Sequence, residues 1–184
     1  MTSQFVILTL FGLLAATSPP KIDLPEPTPS FCPHDESIPN FDIKKMLGKW
    51  YITEESTTMP PENRNLVKAI AGQTFTISEI DDKYNLKHTV GRTNPYEHLY
   101  EIVQEDRKIR RATPNLVNEL KFAVVATDYD NVALVITCEQ NFSASRVARI
   151  LVKNRNVDKK YIEEMRSKLP EYGFSEENML VVEL

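Results

Sequence analysis

Few side chains in this sequence have a type and spacing that could support metal binding or catalysis. His88 and His98 lie on neighbouring predicted strands, where two imidazoles could share a metal ion. A zinc site needs further ligands, however, and no third Cys, His or paired carboxylate is evident beside them. Asp128 has the residue type of an acid catalyst, but it falls at a hairpin corner, where aspartate usually accepts backbone hydrogen bonds. Since no Ser/His/Asp or Cys/His arrangement supplies an activated nucleophile either, we predict no metal site, no cofactor and no enzymatic activity.

The N-terminal sequence and the two cysteines both point to the secretory route. Residues 5–16 form an uncharged apolar run that is shorter than the roughly 20 residues needed to cross a bilayer and is typical of a signal-peptide core. We predict a signal peptide over residues 1–17 and an extracellular protein. In an oxidising compartment Cys32 and Cys138 would form one disulfide. Two buried thiols are the alternative if the chain is not exported.

The composition indicates one compact domain. The chain has 184 residues, 41% of them apolar, and a net charge of −4, which gives no electrostatic basis for binding a phosphate backbone and excludes nucleic acid as a partner. A basic run at residues 107–111 could meet anionic lipid or a receptor, or be a solvated strand surface. Asn141 begins a glycosylation sequon in a predicted turn.

Short β-forming segments separated by turn residues dominate the sequence after residue 40, as in an antiparallel barrel or sandwich. Prolines make residues 18–40 an extended leader, so the folded domain covers residues 41–184. An amphipathic helix is predicted over residues 158–169, and a short last strand over residues 179–182. The eight strand segments are residues 49–56, 72–80, 83–91, 96–104, 108–113, 119–127, 131–139 and 145–154.

Alternation of side chains assigns the two faces of these strands. In the third segment Tyr84, Leu86, His88 and Val90 share one face, and the intervening residues are polar. The sixth segment has the same period, with Leu120, Phe122, Val124 and Ala126 on one face. The last two segments are apolar on both faces, so we expect the helix to cover their outer side.

Three local patterns, in this order, resemble the lipocalin family. The first includes Gly48-Lys49-Trp50, the second Thr127-Asp128-Tyr129-Asp130, and the third Arg149-Ile150-Leu151-Val152-Lys153-Asn154. The resemblance covers residues 32–183 and implies an all-β fold. That fold is an eight-stranded antiparallel up-and-down β-barrel, closed at one end, with the C-terminal α-helix packed outside.

The resemblance also implies roles for individual residues. Trp50, the only tryptophan, would plug one end of the barrel next to Gly48, and a cation at position 153 would stack over its indole. Here that cation is Lys153 where the family usually has arginine, which keeps a cation–π contact but loses the planar guanidinium. In one branch of the family, cysteines placed like Cys32 and Cys138 join the leader to the seventh strand.

If the barrel forms, alternation directs a largely apolar set of residues inward, where a hydrophobic ligand would bind. Arg149 is the informative member of this set, because a buried guanidinium needs a partner. We expect either Glu54 or a ligand carboxylate to pair with Arg149, unless a register error leaves Arg149 outside. The candidate ligand-binding residues are Glu54, Phe75, Ile77, Leu86, His88, Tyr100, Phe122, Val124, Val135, Arg149 and Leu151.

The resemblance favours a carrier of a small hydrophobic ligand such as a fatty acid, retinoid, sterol or bilin, acting as a monomer or weak dimer. A secreted signalling or defence protein that engages a receptor, or sequesters a small mediator, is the alternative. Some relatives isomerise prostaglandins, but that chemistry needs a free thiol inside the barrel, whereas both cysteines here are predicted to form a disulfide.

Overall fold

The computed structural model describes residue 38 and residues 40–57, 72–105, 108–112, 120–139 and 146–183. Within these ranges the chain forms nine strands, one α-helix (α1, Lys159–Ser167) and 3₁₀ helices at Ile43–Met46, Leu169–Tyr172 and Glu176–Asn178. The strands are β1 (Gly48–Thr57), β2 (Thr74–Ile80), β3 (Lys83–Val90), β4 (Tyr96–Glu105), β5 (Lys108–Ala112), β6 (Leu120–Thr127), β7 (Val132–Glu139), β8 (Arg146–Val152) and β9 (Leu180–Val181).

The sheet closes into a ring. Each strand from β1 to β8 pairs antiparallel with the next along the chain, and β8 pairs in turn with β1. The first half of β1 pairs with β2 and its second half pairs on the same side with β9, at Glu54↔Val181 and Glu55↔Leu180. The predicted eight-stranded antiparallel up-and-down barrel is therefore confirmed, with the predicted last strand as an extra pairing partner of β1.

Turn residues place the strand ends within one or two residues of the sequence prediction. Asp81 and Asp82 both have positive φ, 51° and 60°, which is the geometry of a two-residue hairpin turn between β2 and β3. Gly72 also has positive φ, 76°, and its N–H donates to the carbonyl of Glu183 at 2.9 Å, so β2 begins at Thr74 rather than at residue 72.

Strands β7 and β8 separate two apolar clusters. Ala133, Val135 and Leu151 belong to the cluster inside the barrel, whereas their neighbours Leu134 and Ile150 belong to a cluster outside it, and all five are fully buried. Helix α1 and the segment after it cover this outer cluster. The two apolar faces of these strands thus have the cover that the sequence predicts.

Helix α1 presents the expected apolar stripe to the barrel. Asp158 is its N-cap and accepts a hydrogen bond from the N–H of Lys160 at 3.0 Å. Met165 is buried, and Tyr161 packs partly against the same cluster. The helix ends at Ser167 rather than at residue 169, and the buried Leu169 begins the 3₁₀ helix that follows. No helix in the described ranges is long and apolar enough to span a membrane.

The face assignment of β6 is wrong at its end. A β-bulge shifts the pairing between Val124 and Ala126, so that Val124 stays inside the barrel while Ala126 joins the outer cluster. The one extra residue, Val125, reverses the alternation for the rest of the strand. Thr127 consequently points back to the interior, where its hydroxyl lies 3.8 Å from Sδ of Met46.

Several sequence predictions concern residues that the structure does not describe. The signal peptide (1–17), Cys32, most of the leader (18–40), Arg107 and Asn141 lie outside the described residues. Cys138 lies on β7 and is fully buried. The predictions for the export signal, the disulfide and the glycan stay predictions.

Candidate ligand-binding site

One end of the barrel is filled by Trp50, which is fully buried. Its Nε1–H donates to the carbonyl of Met46 at 2.8 Å, tying the indole to the 3₁₀ helix Ile43–Met46 that crosses this end. Lys153 Nζ lies 5.0 Å from the indole centroid, so the structure contains the cation–π contact that the resemblance implies. Gly48, two residues before Trp50, has a φ of 108°, a backbone conformation that favours glycine.

The corner between β6 and β7 is held at the same end by Asp128. Its Oδ1 accepts hydrogen bonds from the N–H groups of Asp130, Asn131 and Val132, at 3.1, 2.8 and 3.0 Å. Burial alone would raise the pKa of Asp128, but these bonds and the Asn131 side-chain amide together hold that pKa below its usual value. Asp128 therefore fixes a turn, as expected for an aspartate at a hairpin corner.

Replacing Asp128 with asparagine is expected to lower the free energy of unfolding at neutral pH by roughly 0.5–1 kcal/mol, because this exposed site loses its charge but keeps an acceptor. A lowered pKa adds stability above the unfolded-state pKa of about 3.9, and that stability is lost as the pH falls through the folded-state pKa. The difference between the two proteins should therefore disappear in acid. Urea denaturation at several pH values checks this, and a constant difference down to acid pH would contradict it.

The inner wall of the barrel is apolar. Tyr100 on β4 is only 5% exposed, whereas Leu99, the next residue on the outer face, is 60% exposed. Of the sequence candidates, eight belong to this buried inner cluster: Phe75, Ile77, Leu86, Tyr100, Phe122, Val124, Val135 and Leu151. His88 adds a half-buried polar group to this wall.

The two histidines lie on the inner face of β3 and β4. His88 and His98 are directly opposite each other, with ring centroids 6.2 Å apart. A ring nitrogen of His88 lies 3.0 Å from Oε1 of Gln73, and the ring meets Phe75 edge-on at 4.8 Å. In the described ranges no three Cys, His, Asp or Glu side chains are grouped to hold a metal ion.

Arg149 faces the barrel interior. Its guanidinium carbon lies 5.9 Å from the Phe75 ring centroid, and its side chain is only 11% exposed. Nε donates to a carboxylate oxygen of Glu55 at 2.7 Å, and Nη1 donates to the hydroxyl of Thr137 at 2.7 Å. The interior thus contains a buried ion pair between β8 and β1, and Thr137 on β7 holds the guanidinium by a further hydrogen bond.

The expected Glu54–Arg149 pair is wrong. A β-bulge in β1 shifts the register between Ile52 and Glu54, where the pairing passes from Ile52↔Leu151 to Glu54↔Ile150. The extra residue, Thr53, sends Glu54 to the outer face and turns Glu55 inward. Simple alternation from Ile52 gives the opposite result.

Glu54 pairs instead with the helix. The Arg166 guanidinium on α1 holds its carboxylate through two hydrogen bonds, one from Nη2 to Oε1 and one from Nε to Oε2 at 3.1 Å. The hydrogen-bonded carboxylate raises the pKa of Arg166 above its ordinary value. Two adjacent glutamates therefore have different partners: Glu55 neutralises Arg149 inside the barrel, and Glu54 binds helix α1 to its outer face.

A double-mutant cycle with Glu54→Gln and Arg166→Gln is expected to give a coupling energy of about 1 kcal/mol, since Arg166 is partly exposed and solvent screens the pair. Chemical denaturation of the four proteins measures it. Lys44→Gln and Glu79→Gln, at an exposed ion pair of 3.8 Å, form the control cycle and should give coupling near zero. Equal coupling in the two cycles would contradict the assignment.

The inner polar groups that sequence reasoning missed are Glu55, Thr137 and Gln73. Glu55 is found only once the bulge in β1 is known, whereas Thr137 lies two residues beyond Val135 on the same face of β7. Gln73 precedes β2 and is 3% exposed. The sequence signal for Glu55 was the buried Arg149, which required an acceptor nearby.

Together the closed ring, the plugged end and the apolar inner wall define a lipocalin-type barrel. Residues 47–183 match the model of the lipocalin / cytosolic fatty-acid binding protein family, and the chain belongs to that family. Within the family the chain is apolipoprotein D-like. Apolipoprotein D of Rattus norvegicus is 26% identical over 163 residues, which cover 84% of this chain and 79% of the relative.

Two further comparisons also match this chain to lipocalin-like proteins. The Lazarillo protein of Schistocerca americana is 23% identical over 145 residues, covering 75% of this chain and 67% of the relative. Among solved structures, lipocalin 12 from rat epididymis superposes with a TM-score of 0.65 at 16% identity, covering 80% of this chain and 87% of that one. The structural likeness supports the fold.

Proposed function

We propose that this protein is an extracellular carrier that binds one small hydrophobic ligand inside the barrel and does not change it chemically. The observation that carries the proposal is the inner wall, which is apolar on β1 to β4 and on β6 to β8 of a closed ring. Apolar surface enclosed by a barrel and sealed at one end suits a hydrophobic molecule shielded from water. Membership of the lipocalin / cytosolic fatty-acid binding protein family supports the same function.

A fluorescence titration with the neutral apolar probe N-phenyl-1-naphthylamine tests the proposal. We expect saturation at one probe per chain. The matched variants are His98→Glu, on the inner face of β4, and Leu99→Glu, the next residue on the outer face. A carboxylate placed against an apolar ligand must lose hydration, so His98→Glu should weaken binding at least about tenfold and Leu99→Glu less than about twofold.

Equal loss of binding in both variants, or no saturable binding in the unmodified protein, would refute the carrier function. The second result would favour a protein that acts through its outer surface.

The extracellular part of the proposal is supported by the apolar run at residues 5–16 and by the two cysteines. Expression of the full chain in cultured animal cells tests it. We expect the protein in the medium, with an N-terminus close to residue 17, a peptide linking Cys32 to Cys138, and a glycan at Asn141. Retention of an uncleaved chain inside the cells would refute secretion.

A further inference from the structure

The positive charge of Arg149 on the inner wall is already neutralised by a carboxylate of the protein. Arg149 donates to Glu55 at 2.7 Å and to Thr137 at 2.7 Å, and the side chains of Arg149 and Glu55 are 11% and 7% exposed. Thr137 is 1% exposed. An arginine in this position would attract a ligand carboxylate only if no carboxylate of the protein already neutralised it.

We infer that the interior selects neutral ligands that carry a hydrogen-bond-accepting oxygen, and disfavours the carboxylate of a fatty acid or another acidic lipid. This inference rests on the proposed carrier function. It concerns the charge of the ligand, because the same barrel without Glu55 would favour an anionic ligand over a neutral one.

The disfavoured class follows from the position of Glu55. A ligand carboxylate that reached Arg149 would come close to the Glu55 carboxylate in a site where little water screens the two charges. To avoid that repulsion the ligand would have to displace Glu55 from Arg149, which would leave Glu55 buried without a partner. Both routes oppose binding of an anion.

The favoured class follows from the donors of Arg149. A guanidinium has five N–H donors, and hydrogen bonds within the described part of the chain use two of them. The oxygen of an alcohol, ketone, ester or amide can accept from a remaining donor without adding charge. The face of Phe75 lies beside the same guanidinium, at 5.9 Å, and can contact the apolar part of such a ligand.

The test compares retinol with retinoate, which share one apolar chain and differ in the end group. Affinities are measured by displacement of N-phenyl-1-naphthylamine from the full-length protein at a mildly alkaline pH, where the acid is ionised. We expect retinol to bind at least about tenfold more tightly than retinoate.

Glu55→Gln removes the inner negative charge and keeps the shape. In that variant we expect retinoate to bind about tenfold more tightly than it binds the unmodified protein, and retinol to change by less than about twofold. Glu54→Gln makes the same chemical change one residue away on the outer face, and should leave the ratio of the two affinities unchanged.

Equal affinities for retinol and retinoate in the unmodified protein would overturn the inference, and so would an unchanged ratio in Glu55→Gln. Either result would leave the carrier function standing, because the probe is still bound. Failure to bind the probe and both retinoids would overturn the carrier function and this inference with it. If Glu55→Gln does not fold, the comparison on the unmodified protein still decides the inference.

Discussion

Replacing Arg149 with methionine is expected to lower the free energy of unfolding by about 3–5 kcal/mol. The change leaves the Glu55 carboxylate inside the barrel without its counter-charge, and it removes the donor to Thr137. Glu55→Leu should cost a similar amount, because it leaves the guanidinium unpaired. Urea denaturation followed by circular dichroism measures both variants.

The double variant Arg149→Met/Glu55→Leu is the control for this prediction. With both charges gone the interior is uniformly apolar, and replacement of a buried ion pair by hydrophobic side chains is often close to neutral. We expect the double variant to lie within roughly 1–2 kcal/mol of the original protein. If the two single losses simply add, the side chains do not act as a buried pair and the interior assignment of Glu55 is wrong.

Trp50→Ala is expected to lower the free energy of unfolding by about 3–5 kcal/mol, through the cavity left by a fully buried indole. Trp50→Phe keeps most of the packing but loses the hydrogen bond to Met46, and should cost about 1–2 kcal/mol. Circular dichroism is the appropriate signal, since these variants lack the only tryptophan.

Lys153→Met separates the cation–π contact from the plug itself. We expect the free energy of unfolding to fall by about 0.5–1 kcal/mol, and to recover in Lys153→Arg, which keeps a cation over the ring.

For the tryptophan itself, a loss of unfolding free energy below about 1 kcal/mol in Trp50→Ala would show that this residue does not seal the barrel.

The inward position of Arg149 follows from sequence because the bulge between β1 and β8 lies in β1 and the pairing of β8 with β7 is regular. Counting back from Leu151 along β8 therefore gives the correct face. The helix over β7 and β8 is equally predictable, since strands with two apolar faces need cover on both sides. The Trp50–Lys153 contact follows from the resemblance of two local motifs. In the first two cases one simple rule applies along strands without a bulge.

The two failures have one physical cause, a bulge that leaves no pattern in the residue types. Thr53, Glu54 and Glu55 are all polar, so the sequence does not show which glutamate turns inward. At the other bulge Val124 and Ala126 are both apolar, so either face suits them. The ligand preference depends on the first of these bulges and was therefore beyond the sequence.

The most direct measurement of the central claim is a methyl NMR titration with one equivalent of a neutral apolar ligand. Neighbouring residues of β7 and β8 face opposite sides of the barrel wall, so each inner methyl has an outer control beside it. We predict shifts at the inner methyls of Val135 and Leu151 and little change at the outer methyls of Leu134, Ile136 and Ile150. Shifts confined to the outer methyls, or spread equally over both faces, would contradict binding inside the barrel.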